Sequence, residues 1–362
     1  MKELFLDANA HVPMSKETIK VYSDYQNSRA GWGHALAPSK PGQAAASALE
    51  TARGKMANLL GADSPHNIVI TSTCTQACEW GLWLLKNNIE GFIYHSGVEH
   101  SAVYQKLNTF DSVYNLPISK DGVVSEPEWY DNRDAIVCSH VQNEIGIIQP
   151  IEKFENNFLF SDMCQSPGKV SINLNEMPVD IATFGAHKWG GPASVGLLYL
   201  KDVALYEEFG TGSRYFSDRP GTPDVGAVVA AAASLESTLM NMPERIAKMH
   251  QFQTILEEKL QDMKLEIVGK NASRVVNTTF VRIPGIAFKM LADLSQKGIY
   301  VGMGSACGSM HTGPSLTMNA LGIEGDAHDF LRISQHGNYG KQDAEYLADE
   351  IFKLLKGYRR SR

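Results

Sequence analysis

Up to about residue 220, short apolar runs bounded by turn residues alternate with stretches in which apolar residues recur at helical spacing. The helical stretches lie at 39–60 and 74–86, and runs typical of buried strands lie at 67–71, 91–95, 135–139, 158–161 and 179–184. This alternation predicts an α/β fold with a mainly parallel central sheet. In such a fold, the strand ends that face helix starts gather the functional residues on one edge.

The pattern changes near Pro223 and indicates a second unit. The later elements are predicted as helices at 225–236, 243–263, 287–297 and 341–356 and as strands at 277–283 and 299–302. Because 362 residues exceed a single typical core, two domains are expected. We predict a large domain at 15–247 and a smaller α+β domain formed by 1–14 and 248–362.

Composition and charge indicate which partners and which cellular compartment to expect. The net charge is −7 and no long basic block occurs, so nothing indicates nucleic-acid binding. No run of 18 apolar residues offers a membrane span, and the N-terminus lacks the apolar core of a signal peptide. Five cysteines, an odd number spread along a long chain, do not resemble a disulfide framework. We therefore predict a reduced, cytoplasmic protein without a membrane partner.

A lysine and an aspartate each follow a predicted strand. Lys188 enters a glycine-rich turn after the apolar run at 179–184, and Asp162 ends a run 26 residues upstream. A lysine shielded from water has a lowered ammonium pKa, which favours the neutral amine that forms a Schiff base. Pyridoxal phosphate (PLP) needs such a lysine and an acid that keeps its pyridine nitrogen protonated. Together the two residues indicate a PLP site; alone, each suits a surface lysine or an ordinary strand-end aspartate.

The turn at 71–77 links a predicted strand to a predicted helix. Its hydroxyl groups and backbone N–H groups, around Cys74 and Thr75, suit the phosphate of the cofactor. An ordinary helix cap explains the same residues equally well. His100 could lie against the cofactor ring and His187 could hold the phosphate, with structural packing as the alternative for both.

Cys307 differs from the other four cysteines in its surroundings. It lies at 301–315, a segment dense in Gly, Ser and Thr that predicts a mobile, exposed loop. Cys74 and Cys78, one helical turn apart, suit core packing instead. An exposed and mobile thiol suits a nucleophile that attacks and then carries a group away. No C-x-x-C pair, no H-E-x-x-H and no other metal-ligand spacing occurs, so the sequence predicts no metal site.

Arg332 is flanked by apolar residues at a predicted strand end. An arginine in that position needs a partner for its guanidinium group. A substrate carboxylate bound by two hydrogen bonds is one partner, and an internal Asp or Glu is the other.

Ten segments, in order along nearly the whole chain, resemble the PLP-dependent cysteine desulfurases of the class V aminotransferase group. They lie at 6–10, 42–53, 71–75, 99–103, 141–151, 162–165, 186–192, 219–222, 304–307 and 332–334. The Gly-Ser-Ala-Cys motif that ends at Cys307 is similar to the first subgroup, the iron-sulfur-cluster and nitrogen-fixation type. The resemblance implies the PLP-dependent transferase fold type I, with a seven-stranded sheet in the large domain.

The resemblance also implies a cofactor role for each matching residue. Lys188 would bind PLP covalently and shuttle protons, Asp162 would pair with the pyridine nitrogen, and His100 would stack on the ring. The other implied cofactor-binding residues are Gln165, Asn143, Cys74, Thr75, His187 and, from the other subunit of a homodimer, Thr222.

Substrate roles follow from the same resemblance. Arg332, Asn143 and Asn9 would bind L-cysteine, with the arginine on its carboxylate. Cys307 would take the sulfur as a persulfide, leave L-alanine, and pass the sulfur to an acceptor protein.

Departures from the family pattern, which also include 7–11 and 74–76, leave PLP binding predicted but not the catalytic efficiency, the dimer contacts to the phosphate or the acceptor. Gly185 replaces the serine that usually precedes the His-Lys pair, and the glycine-rich run expected at 210–217 has changed. The alternatives are another class V PLP enzyme, such as a selenocysteine lyase or an aminotransferase, and a diverged scaffold for sulfur transfer.

Overall fold

The computed structural model describes residues 3–127, 131–205, 222–304 and 313–360, which contain twelve strands and nine α-helices. Numbered along the chain, the strands are β1 (Leu4–Leu6), β2 (Ile68–Thr71), β3 (Ile93–His95), β4 (Val113–Asn115), β5 (Ala135–Val137), β6 (Phe158–Asp162), β7 (Ile181–Gly185), β8 (Gly196–Leu200), β9 (Glu266–Ile267), β10 (Thr278–Arg282), β11 (Ile299–Val301) and β12 (Phe330–Ser334). The helices are α1 (Lys16–Asn27), α2 (Lys40–Leu60), α3 (Cys74–Asn88), α4 (Ser101–Leu107), α5 (Val225–Met240), α6 (Met242–Asp262), α7 (Ala287–Gln296), α8 (Leu316–Ala320) and α9 (Lys341–Arg360).

Seven strands form the central sheet, in the order β2-β8-β7-β6-β5-β3-β4. The strands from β7 to β4 in this order run parallel to one another. β8 is antiparallel to both of its neighbours, β2 and β7. The prediction of an α/β fold with a mainly parallel seven-stranded sheet is therefore confirmed.

Helices cover both faces of this sheet. Alternate residues of β8 show this directly: Leu197 and Tyr199 join the core formed with α2 and α5, whereas Leu198 and Leu200 join the core formed with α3 and α4. Burial on both faces explains why the central strands are continuous apolar runs rather than alternating ones. No single helix among the described residues is long and apolar enough to span a membrane; α5 and α6, bent by 67°, reach the required length and composition only as a pair.

A second core lies outside the central sheet. Strands β12, β10 and β9 form an antiparallel sheet, and β1 pairs in parallel with β11. Residues of β1, α6, α7 and α9 pack together against these strands. The N-terminal strand thus shares a core with the C-terminal part of the chain. The predicted boundary at residue 247 falls inside α6 and stays a prediction.

Candidate active site

The ends of two adjacent parallel strands place the predicted lysine and aspartate side by side. Asp162 is the last residue of β6, and Lys188 follows β7 in a short 3₁₀ turn, Ala186–Lys188. Both line a cavity of about 280 Å³. The strand order therefore produces the convergence that the sequence predicted, at the carboxyl edge of the sheet.

Most of the predicted site residues line this same cavity. They are Asn9, Cys74, Thr75, His100, Asn143, Asp162, Gln165, His187, Lys188 and Arg332. Thr222 is exposed and does not line it; its Oγ1 lies 3.4 Å from the Nε2 of His34. Cys307 lies outside the described residues, as does the changed segment 210–217.

The amino group of Lys188 is held by backbone carbonyls rather than by an acid. Its Nζ donates to the carbonyl oxygens of Asn9 (2.6 Å) and Ala10 (2.9 Å). Removal from water lowers the pKa of Lys188, and the positive charge of Arg332 lowers it further. A lowered pKa increases the fraction of neutral amine, which is the form able to attack an aldehyde.

Asp162 is a buried carboxyl group without an ion pair among the described residues. The backbone N–H of Cys164 donates to its Oδ1 (2.9 Å). Burial raises the pKa of Asp162, although the charges of His100 and Lys188 act in the opposite direction. A cation placed against this carboxylate would be stabilised strongly in such an environment, as a protonated pyridine nitrogen requires.

The part of the cavity around the N-terminus of α3 suits an anion. Helix α3 begins there at Cys74, and the Oγ1 of its N-cap, Thr73, accepts from the N–H of Gln76 (3.2 Å). A helix N-terminus carries a partial positive charge and unpaired N–H groups. The Nδ1 of His187 is buried without a hydrogen-bond partner among the described residues. An orphaned ring nitrogen beside a helix N-terminus fits a phosphate group.

His100 has a fixed ring orientation. It is the N-cap of α4, and its Nδ1 accepts the backbone N–H of Ala102 (3.2 Å). The neutral ring therefore carries its proton on Nε2. With Asn143, His100 also lines a second cavity, of about 360 Å³. Gly304 and Gly313, which flank the segment that contains Cys307, line this second cavity too.

Arg332 already has an internal acidic partner. Its side chain is 1% exposed, and its Nη atoms donate to Asp7 Oδ1 (2.7 Å) and to the carbonyl of Gly304 (2.6 Å). Of the two partners that the sequence left open, the structure shows the carboxylate of Asp7. The buried Nε has no partner among the described residues. Binding of a substrate carboxylate by Arg332 stays a prediction.

Sequence reasoning missed Lys169, a second lysine beside the cavity. Its Nζ donates to the Oε1 of Gln165 and to the Oδ1 of Asn9 (3.2 Å). Removal from water and the nearby charge of Lys188 lower the pKa of Lys169 to about 7. No motif marked this residue, because its position depends on the loop that follows β6.

Asn9 is fully engaged within the protein. Its amide donates to the carbonyl of Asn143 (3.1 Å) and to Thr278 Oγ1 (2.9 Å), and its Oδ1 accepts from Asn277 (3.0 Å) as well as from Lys169. These bonds use the two donors and two acceptor positions of the amide. The structure therefore supports a role for Asn9 in ordering the cavity wall, and its contact with substrate stays a prediction.

Gly185 lies where the cavity wall leaves little room for a side chain. Its φ of −128° is ordinary extended backbone, so space rather than conformation requires the glycine. A Cβ at this position would lie 3.0 Å from Cys164 Sγ, 3.0 Å from His187 Cε1 and 3.1 Å from Cys74 Cβ. The serine usual at this position in the family would therefore need its neighbours to move.

We expect Gly185→Ala to lower the free energy of unfolding by about 1–3 kcal/mol, the range for overpacking a close-packed interior. Denaturant unfolding of the single variants, with Cys164→Ala as the partner in a double-mutant cycle, measures the effect. Removing the Cys164 sulfur should restore part of the lost free energy of unfolding, so the effects of the two substitutions should not be additive. Additive effects would show that the contact with Cys164 is not the cause.

Comparison with known proteins agrees with this geometry. The sequence pattern of the family described as aminotransferase class-V matches residues 4–347. Cysteine desulfurase IscS of Dictyoglomus turgidum is 26% identical and aligns over 99% of this chain and 96% of its own length. Cysteine desulfurase IscS of Mannheimia succiniciproducens is 30% identical, over 98% of this chain and 93% of its own length.

Solved structures share the fold. A NifS-like protein superposes with a TM-score of 0.86 at 24% identity, covering 98% of this chain and all of that chain. The NifS-like protein of Rickettsia africae gives 0.84 at 22% identity, with the same coverage. Since the family pattern spans nearly the whole sequence, the chain belongs to the class-V aminotransferase family.

Proposed function

We propose that the chain is a PLP-dependent cysteine desulfurase, which converts L-cysteine to L-alanine and leaves the sulfur as a persulfide on Cys307. One observation supports this most directly. The cavity that holds Lys188 and Asp162 shares His100 and Asn143 with a second cavity, and the residues flanking the Cys307 segment line that second cavity. The full-length relatives named cysteine desulfurase support the same reaction.

The residues present fit PLP. Asp162 would hold the pyridine nitrogen, and the N-terminus of α3 with Thr75 and His187 would hold the phosphate. The orphaned His187 Nδ1 is the observation that fits best, because a phosphate oxygen would give this buried atom its missing partner. When bound, PLP withdraws electrons from the substrate skeleton and so makes the C–S bond of L-cysteine cleavable.

The residues of the chain account for the transfer of sulfur and protons. The Cys307 thiolate attacks the sulfur of L-cysteine, so an S–S bond forms as the C–S bond breaks. The electron pair of that bond stays on the alanine skeleton, where a proton delivered from Lys188 Nζ completes L-alanine. The step needs no external oxidant or reductant, because L-cysteine and one thiol give L-alanine and one persulfide.

The proposal includes two kinds of protein partner. A second copy of the chain would form a homodimer and bring its Thr222 to the phosphate; within one chain, Thr222 lies outside the cavity. An acceptor protein would then remove the persulfide sulfur from Cys307.

Turnover of L-cysteine by the PLP-loaded chain tests the proposal. With a thiol reductant present, we expect L-alanine and sulfide to form in equal amounts. A keto acid in place of alanine would indicate an aminotransferase. Turnover of L-selenocysteine alone would indicate a selenocysteine lyase, and the absence of any turnover would favour a scaffold.

A further inference from the structure

Two thiols and a carboxylate converge at the floor of the cavity. The roles already assigned to these residues do not use their close approach to one another. Cys74 begins α3, Asp162 ends β6, and Cys164 lies two residues beyond Asp162. The two sulfur atoms and a carboxylate oxygen all lie within 4.8 Å of one another. All three residues line the cavity, so a small solute that enters it can reach them.

The surrounding backbone accommodates this cluster. Gly185 has no side chain at the point where a Cβ would contact Cys164 Sγ and Cys74 Cβ. Cys78, one turn further along α3, also lines the cavity, and its Sγ is 3.5 Å from Thr183 Oγ1. Three of the four described cysteines therefore meet at one place.

We infer that, in the cofactor-free chain, Cys74, Cys164 and Asp162 form a binding site for one thiophilic divalent cation of the Zn²⁺ or Cd²⁺ type. Thiolates bind zinc at about 2.3 Å in a tetrahedral arrangement, which sets neighbouring donors about 3.8 Å apart. Since the donors lie within 4.8 Å of one another, they need to approach by at most about 1 Å, which side-chain rotation supplies. Three protein ligands leave the fourth position open toward the cavity.

The charges at the site are compatible with a dication. The pKa values of both thiols are raised, in part by burial, so the cation would have to displace their protons. Once deprotonated, the three donors carry three negative charges, and Lys188 interacts electrostatically with all of them. One divalent cation and the Lys188 ammonium group balance those charges. A buried site that is neutral overall avoids the cost of an uncompensated charge.

A cation bound at this site would affect the loading of PLP, an inference that rests on the proposed function. Asp162 cannot ligate the cation and pair with the pyridine nitrogen of PLP at once. The cation and PLP should therefore exclude each other, so that the metal inhibits loading of the empty chain and PLP protects the loaded one.

Titration of the full chain with Cd²⁺ alone, after removal of PLP, tests the inference. All samples carry Cys307→Ser so that this thiol cannot bind the metal. We expect one Cd²⁺ per chain, seen as thiolate-to-cadmium absorbance in the ultraviolet. Cys74→Ser and Cys164→Ser should each weaken binding by more than about tenfold, since even loss of a ligand's hydrogen-bond partner has that effect.

Cys138→Ala is the control, because Cys138 is a buried thiol that does not line the cavity and donates to the carbonyl of Ser139. Its Cd²⁺ affinity should equal that of the parent. Circular dichroism and PLP binding report whether each variant is folded. The metal site is refuted if the parent binds no Cd²⁺, or if folded Cys74→Ser and Cys164→Ser bind it as tightly as the parent.

Saturating PLP beforehand should prevent Cd²⁺ from binding to this site. Full binding of both together would refute the exclusion. Absence of L-cysteine turnover by the PLP-loaded chain that retains Cys307 would instead refute the proposed function and leave the Cd²⁺ result unaffected.

Discussion

Replacing Lys188 by alanine is expected to abolish the covalent attachment of PLP and to lower L-cysteine turnover by at least about 10²–10⁴-fold, the scale of lost acid–base catalysis alone. Lys188 lines the cavity, lies beside the strand that ends in Asp162, and has a lowered pKa because it is removed from water. Its amino group is bound only to carbonyl oxygens among the described residues, so no salt bridge must be broken before it reacts.

The decisive measurement is the position of the PLP adduct after borohydride reduction, read by mass spectrometry of peptides. Lys169 offers a matched control, because its pKa is lowered to about 7 and it too is close to the cavity. We expect Lys169→Met to retain the visible chromophore, since the Lys169 amine is occupied by Gln165 and Asn9 and does not line the cavity. An adduct found on Lys169 in the parent protein would show that Lys169, and not Lys188, binds PLP covalently.

The strand ends could be predicted because their signal is local. An apolar run followed by a polar residue identifies the end of a buried strand, and parallel neighbours bring such ends together. The ends of β6 and β7 therefore placed Asp162 beside Lys188 without any knowledge of the structure. The helix at 74–86 was predictable in the same way and extends from Cys74 to Asn88.

The contacts across the chain could not be predicted from spacing. Arg332 and Asp7 are 325 residues apart and meet because β1 and β12 lie in the same small core. The thiols at 74 and 164 are also distant in sequence, so no metal-ligand spacing predicts that they lie close together. The prediction that Cys74 and Cys78 pack in the core is confirmed, since Cys78 is part of the core formed with α3 and Cys74 packs against it. It did not anticipate that Cys164 lies beside Cys74. Side-chain pairs of this kind depend on the tertiary fold rather than on a local period.

Gly185 is explained only when the sequence pattern and the packing in the structure are considered together. The sequence shows that a serine usual in the family is missing, and alone this indicates a lost hydroxyl group. The structure shows that Cys164, Cys74 and His187 closely surround the position that a side chain would take. The glycine and the two cysteines are therefore best understood together, as one altered wall of the cavity.

Replacing Cys307 by serine is expected to leave PLP binding unchanged and to reduce sulfide release from L-cysteine by at least about 10³-fold, as when a catalytic nucleophile is removed. A serine hydroxyl cannot accept the sulfur, because an oxygen at neutral pH is far less nucleophilic toward sulfur than a thiolate. Cys307 lies outside the described residues, but the residues that flank its segment, Gly304 and Gly313, line the cavity next to the PLP site.

Alanine and sulfide should be measured together, with the visible spectrum recorded on the same sample. Cys138→Ala is again the control, because its thiol is buried away from both cavities and should support parental turnover. Peptide mass spectrometry of the parent after L-cysteine should show one added sulfur atom on the peptide that contains Cys307. If the serine variant releases sulfide at the parental rate, Cys307 is incidental and the chain is another PLP enzyme of its family. If the added sulfur is found on Cys74 or Cys164 instead, the thiols of the cavity floor accept it, and the role proposed for Cys307 is wrong.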